Sequence, residues 1–384
     1  MTSRLPMVVL AVSLVACGSS SPAPKVDTTA PTTLDPNDPI AVMNLVNDRF
    51  MCEWPSPGAD IVVTKPVASN TWTRAVYFEG MLALQAQTND GRLLDYAMAW
   101  GQSHEWQLAG GPSTRSADDQ CAGQSYLDLH DRAPTAARID AVEANVNAMV
   151  LSTTSEDWTW IDALQMSMPL FARLGAMGNS QATLEKMHAL YTYTRDTAGG
   201  TGLYDREQHL WYRDQSFLPP FTTPGGKSCF WSRGNGWVYA ALVRVLDVLP
   251  QTDPHRAEYE SDFVAMSDAL LRVRRDDGFW NPSLEDETQH GGKELTGTSL
   301  FVYGMAWGVS HGLLSRAVYE PIARASWTAM VQGAVHADGA LGYVQGTGTG
   351  PDDAQPLSYQ RMPNYDDFGV GCFLLAGSEI SKLH

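Results

Sequence analysis

The sequence predicts an all-α protein, an (α/α)6 barrel of six helical hairpins, and three observations predict it. Apolar residues recur at three- and four-residue spacing in ten stretches, with little of the alternation that marks strands. The loops between them fall into two kinds that return along the chain with a weak period of about fifty to seventy residues. About twelve helices of ordinary length and their loops fill residues 39–384, which favours one closed domain over two.

The chain begins with Met1-Thr2-Ser3-Arg4, an apolar segment from Leu5 to Ala16, and then Cys17-Gly18-Ser19-Ser20. A positive start, a short apolar run and small residues at its end describe a secretory signal, too short to span a bilayer as a stable helix. Leu14-Val15-Ala16-Cys17 resembles the bacterial lipoprotein box, so residues 1–17 read as a lipoprotein signal with Cys17 the lipidated residue. An ordinary cleaved signal with an incidental Cys is the alternative. Residues 18–38, rich in Ser, Pro and Thr, read as a flexible tether. The expectation is an exported protein, periplasmic or at the cell surface, that meets the membrane only through its N-terminal lipid.

From about Ile40 the pattern is helical, with helices expected over 75–87, 93–104, 124–130, 136–149, 161–174, 181–194, 236–249, 259–271, 299–311 and 319–330. Short Gly- or Asp-based loops, such as Thr88-Asn89-Asp90-Gly91, alternate with loops that end in Gly and an apolar or aromatic pair, such as Thr201-Gly202-Leu203-Tyr204 and Asp277-Gly278-Phe279-Trp280. Tandem hairpins of this kind close into a ring or stack into a solenoid, and periodicity alone does not separate the two.

Composition narrows the function. The chain is 44% hydrophobic and 18% charged, enough to bury a large core. A formal charge of −17 argues against nucleic acid and against an anionic membrane surface, and it requires an acidic ligand to find local cations. Twelve Trp and fourteen Tyr suit a sugar cleft as well as a large core. Apart from Cys17 there are Cys52, Cys121, Cys229 and Cys372, without metal-ligand spacing, and disulfides and buried thiols both fit them.

Four stretches carry candidate chemistry. Trp158-Thr159-Trp160-Ile161-Asp162-Ala163-Leu164-Gln165-Met166 sets one carboxylate among apolar and aromatic neighbours. Desolvation raises the pKa of such an acid, so Asp162 either pairs inside the fold or holds a proton to donate near neutral pH. Asp118-Asp119 precede a helix; capping accounts for one of them, and the other is free to face Asp162 across a cleft. In Trp231-Ser232-Arg233-Gly234-Asn235-Gly236-Trp237, Arg233 offers a fork for a carboxylate or braces a turn against Trp. His290 to Ser299, with Glu294, reads as a loop and N-cap at the same mouth.

Together these stretches resemble the unsaturated rhamnogalacturonyl hydrolases of glycoside hydrolase family 105, relatives of the unsaturated glucuronyl hydrolases. Asp118 to Gly123 resembles the family's D-x-x-x-A/I-G segment, and Trp160 to Met166 its W-x-D-x-L-x-M. Trp231 to Trp237 resembles W-A-R-G-N-G-W, and Glu294 to Thr298 with Ala306-Trp307-Gly308 resembles E-T-S-G-T…A-W-G. Gly369 to Glu379 also fits.

The resemblance implies an (α/α)6 barrel that removes a 4,5-unsaturated uronic acid from the non-reducing end of lyase-generated oligosaccharides. Asp162 would be the general acid/base that protonates C4, after which water adds at C5 and the hemiketal opens. Asp118 would steady the cation at C5, and no metal or cofactor would take part. Arg233 would hold the uronate, Trp160, Trp231 and Trp237 are stacking candidates, and Asp119 and Glu294 complete the expected substrate contacts. The sequence departs from the family around Thr201 to Asp214, where pectin-acting members carry His-x-Trp-Asp, so glucuronyl and galacturonyl substrates both stay open. A non-catalytic glycan-binding lipoprotein and a conventional two-carboxylate glycosidase on the same toroid are the competing readings.

Overall fold

A computed structural model of the protein describes residues 34–62, 66–360 and 367–383. The signal segment, Cys17 and the tether up to residue 33 lie outside the described residues. Thirteen α-helices carry the fold: α1 (Pro39–Glu53), α2 (Trp72–Thr88), α3 (Gly91–Ser103), α4 (Ala117–Gln120), α5 (Ala122–Arg132), α6 (Asp140–Leu151), α7 (Asp162–Met177), α8 (Gln181–Asp196), α9 (Ser232–Val248), α10 (Arg256–Arg272), α11 (Leu295–Ser310), α12 (Arg316–Ala334) and α13 (Asp367–Ile380). Two antiparallel ribbons, β1 (Ile61–Val62) with β2 (Pro66–Val67) and β3 (Tyr204–Asp205) with β4 (Leu210–Trp211), and three short 3-10 turns complete the described elements.

The helices form an (α/α)6 barrel. α2, the nearly continuous pair α4 and α5, α7, α9, α11 and α13 pack each against the next, and α13 returns to α2, so the inner ring closes. The outer helices α1, α3, α6, α8, α10 and α12 cover it. Closure rules out the solenoid. It depends on a close approach of backbones at the seam: a Cβ on Gly80 of α2 would lie 2.2 Å from the Gly371 carbonyl oxygen of α13, and one on Gly371 would lie 2.2 Å from that of Val76. Only glycine leaves room there.

Local signals explain where most helices begin. Asp38 accepts from the backbone N–H of Ala41 ahead of Pro39, Asp90 accepts from Arg92, and Ser180 accepts from Thr183. Pro169 lies inside α7 and has no N–H for the carbonyl of Gln165, which instead accepts from Gln124 Nε2 at 2.6 Å. The repair ties α5 to α7. The domain also starts earlier than the composition indicated, because the Pro36 carbonyl accepts from Trp327 Nε1 at 2.9 Å and Leu34 packs on the core. Cys121, Cys229 and Cys372 are buried free thiols, so no disulfide joins these three.

Candidate active site

Asp162 opens α7, and the chain just before it is fixed by a bridge to another part of the sequence. Trp160 pairs with Asp214 in antiparallel fashion, and the Ile161 N–H donates to the Arg213 carbonyl at 3.0 Å. This pairing sets the Arg213 side chain next to the acid, with Nε 3.3 Å from Asp162 Oδ2. Arg213 also donates through Nη1 to Asp214 Oδ2 at 2.7 Å, and its Nη2 has no partner among the described residues. Asp162 is only 8% exposed and packs beside Met166, itself 1% exposed.

A cleft of about 380 Å³ at this end of the barrel is lined by Asp118, Trp160, Asp162, Met166 and Arg213. Thr71, Trp72 and Thr73 around the start of α2 and the loop residues Thr347, Gly348 and Thr349 line it as well. Burial raises the pKa of Asp162, against the lowering pull of Arg213 and Arg233. Asp118 is pushed up to about 6, first by burial and then by the charge of Asp162, while Arg213 opposes. The two carboxylates thus share one cleft, where the charge of Asp162 bears on Asp118, and Arg213 is the only basic side chain among the described residues that line it.

Of the other residues singled out in the sequence, Trp160 reaches the cleft and the rest stand behind it. Asp119 turns away and accepts from Thr114 Oγ1 at 2.8 Å. Neither acid caps α4, whose N-cap is Ser116 without a side-chain hydrogen bond. Glu294 is fully buried as the N-cap of α11, accepting from the N–H groups of Thr296 and Gly297 at 2.8 and 2.7 Å. Trp237 is 0% exposed and meets Trp72 edge to face at 6.2 Å.

Arg233 is 1% exposed, and it donates through Nη1 to the Gln345 carbonyl at 2.5 Å and through Nη2 to the Gly346 carbonyl at 2.9 Å. Its guanidinium lies over Trp231, 4.5 Å from the ring centroid. Trp231 Nε1 donates to Gln345 Oε1 at 2.8 Å, and Gln345 Nε2 donates to the carbonyls of Gly350 and Asp353. Arg233 and Trp231 therefore hold the loop that presents Thr347, Gly348 and Thr349 to the cleft. They do so from behind.

Arg213 and Trp72 are the site residues that the sequence reading missed. Arg213 lay inside the stretch identified as departing from the family pattern, so its signal was a substitution in a familiar segment. Trp72 had no local signal beyond its type. Beneath the cleft, Glu79 of α2 is fully buried, accepts from Gln165 Nε2 at 2.8 Å and is raised to about 7 by burial. One group of candidate metal ligands exists among the described residues, His188, His255 and Glu258, and it lies on outer helix α8 and at the start of α10 rather than in the cleft. The two imidazoles there stack face to face with centroids 3.5 Å apart, and each donates through Nε2 to a Glu carboxylate, His188 to Glu258 and His255 to Glu185.

The family model for Glycosyl Hydrolase Family 88 matches residues 42–384. An unsaturated 3S-rhamnoglycuronyl hydrolase of Formosa agariphila is 31% identical over 337 residues, covering 83% of this chain and 86% of the relative. A protein of the same description from an Alteromonas species is 26% identical over 331 residues, covering 80% and 77%. Among solved structures, a family 88 glycosyl hydrolase from Bacteroides vulgatus superposes with a TM-score of 0.82 at 31% identity, over 91% of this chain and 99% of that one.

Proposed function

Because the chain belongs to Glycosyl Hydrolase Family 88 and is a glycosidase, we propose that its cleft removes a 4,5-unsaturated uronic acid from the non-reducing end of lyase-generated oligosaccharides. The observation that carries this reading is one cleft holding two carboxylates, Asp162 and Asp118, whose pKa values burial raises, with the Arg213 guanidinium lining the same cleft. The names of the two curated relatives favour a glycuronyl group linked to rhamnose.

Hydration of an enol ether needs a proton delivered to carbon, and a desolvated carboxylic acid is suited to it. Asp162 gives its proton to C4, and the positive charge that develops at C5 and the ring oxygen is steadied by the Asp118 carboxylate. A water molecule adds at C5 and returns a proton to Asp162. The hemiketal so formed opens, and the leaving sugar departs from C1 without direct displacement there. Arg213 meets the uronate carboxylate with the guanidinium fork that such a group favours. Trp160 and Trp72 offer ring faces to the sugars.

The test follows the ultraviolet absorbance of the conjugated double bond on incubation with lyase products. Loss of absorbance with release of the reducing-end fragment, and deuterium at C4 when the reaction runs in heavy water, are expected. Cleavage with the absorbance intact would mean displacement at the anomeric carbon and would remove the proposal. Residues 1–38 support a further part of the reading, that the enzyme works outside the cytoplasm tethered through a lipid on Cys17. Labelled fatty acid should enter the wild type and not Cys17→Ala, and equal labelling would end that assignment.

A further inference from the structure

We propose that the substrate loads the acid: its uronate takes the place of Asp162 on Arg213, and Asp162, released from that ion pair, takes up a proton from solvent before chemistry begins. This rests on the reading of the cleft as a uronide site. It adds to it a reason for the position of Arg213.

Without substrate the geometry opposes catalysis. Asp162 pairs with Arg213 at 3.3 Å, and although burial raises its pKa, the guanidinium pulls it back toward the charged form, which has no proton to give. The same pair is also the one most easily exchanged. Asp214 is fixed by Arg213 Nη1 and also by the N–H of Ser216 at 2.8 Å and its hydroxyl at 2.5 Å. Arg213 Nε, by contrast, makes a long contact to Asp162, and Nη2 is unused among the described residues. An incoming carboxylate that engages Nε and Nη2 in fork geometry displaces Asp162 and leaves Asp214 in place.

Charge balance points the same way. The groups that face Asp162 are Asp118, with Asp119 behind it, from α4; Arg213 and Asp214 from the segment after β4; and Arg233 from the first turn of α9. Glu79 of α2 lies beneath, bonded to Gln165 one turn along α7. Arg233 is committed to two backbone carbonyls and does not move toward a ligand without breaking them. A uronate entering this set brings another negative charge to a cleft whose described lining already sets Asp118 and Asp162 against Arg213, with Asp214 drawing on the same guanidinium. Uptake of a proton by Asp162 cancels that charge and arms the acid in the same event. The proton then passes from Asp162 to C4, while the added water leaves its hydroxyl at C5 and its other proton on Asp162, so one water is consumed across the double bond.

The pH dependence of turnover on an unsaturated disaccharide tests this. The alkaline limb of kcat/KM reports Asp162 in the free enzyme, paired with Arg213, and that of kcat reports it in the complex, where the pair is broken. In the wild type the kcat/KM limb is expected to fall at lower pH than the kcat limb, by about 1 to 2 on the pH scale, a 10- to 100-fold difference between them. In Arg213→Gln the two limbs should come together and KM should rise, whereas Arg213→Lys should keep most of the separation. Coincident limbs in the wild type, or an unchanged separation in Arg213→Gln, would overturn the proposal. The wild-type profile decides on its own if the variant does not fold. Turnover with coincident limbs removes only proton loading; no turnover of any unsaturated uronide removes the substrate class and this step with it.

Discussion

Replacing Arg233 by Met separates two roles for a residue that sequence and structure place differently. Motif position makes it a candidate clamp for the uronate, and the fold makes it a brace for the 345–349 loop. Arg233 is buried, and both of its Nη atoms donate to backbone carbonyls, at 2.5 and 2.9 Å. Each such hydrogen bond from a charged group contributes about 1.5–3 kcal/mol, and losing both leaves two carbonyls without donors. Relief of the desolvation of a buried guanidinium offsets part of this, and about 4 kcal/mol of destabilisation remains. With about 2.1 cal/mol/K of unfolding entropy per residue, a chain of 384 residues loses about 5 °C in Tm. Thermal unfolding and steady-state kinetics on the same preparations provide the readout. The brace predicts a lower Tm, with kcat and KM both impaired because Thr347 to Thr349 are no longer held against the cleft. An unchanged Tm with a rise in KM confined to the acidic substrate would refute the reasoning and return Arg233 to the role of clamp.

Three further expectations follow from the buried acids. Asp118 must be charged to steady the cation at C5, so activity should fall as pH drops through about 6, and Asp118→Asn should lose that limb along with about 10²- to 10³-fold in rate; a retained acid limb in the variant would assign it to another group. Glu79 is held near 7 against an ordinary 4.5, so its neutral form favours the fold, and stability present below pH 4.5 is lost as pH rises through 7. That difference is about 3 kcal/mol, and Glu79→Gln, neutral throughout, should gain about that much on the wild type between pH 4.5 and 8 in urea midpoints. Glu294→Ala removes the N-cap of α11 and should cost about 1–3 kcal/mol in stability with KM unchanged, so a KM effect without loss of Tm would put Glu294 in the cleft instead.

The amphipathic helices were legible because each buries one face. α3, α8 and α10 show the three- and four-residue spacing, and their ends fall close to the expected ranges. α13 was not marked out, and the reason is physical: all of its residues are buried, so no polar face interrupts the apolar run and no period emerges. The same holds in part for the start of α11, where the capping residue Glu294 was visible but its complete burial was not. In the site, Asp162 and Trp160 could be read because an acid among aromatic residues is unusual in local sequence. Arg213 could not, because its place beside Asp162 is set by the bridge between Trp160 and Asp214, 54 positions apart in the numbering. The burial of Arg233 is likewise a matter of the distant loop at 345–346, which nothing near Arg233 announces.

The barrel itself resolves the conflict between an acidic protein and an acidic ligand. The inner helices run parallel, and the residues that define the cleft or its supports stand at their first turns: Trp72 and Thr73 on α2, Asp118 on α4, Asp162 on α7, Arg233 on α9, Glu294 at the cap of α11 and Asp367 on α13. The N-terminal ends of this ring therefore gather at one mouth, and each contributes a fraction of positive charge from its helix dipole. That field favours an anion at the cleft even though the whole chain carries −17. The same field would also hold carboxylates in their charged forms, which is the wrong state for an acid that must protonate carbon. Asp162 escapes it only by burial, and burial is opposed by Arg213. A site built this way needs an event that neutralises Arg213, and the carboxylate of the substrate is the group the cleft is arranged to admit.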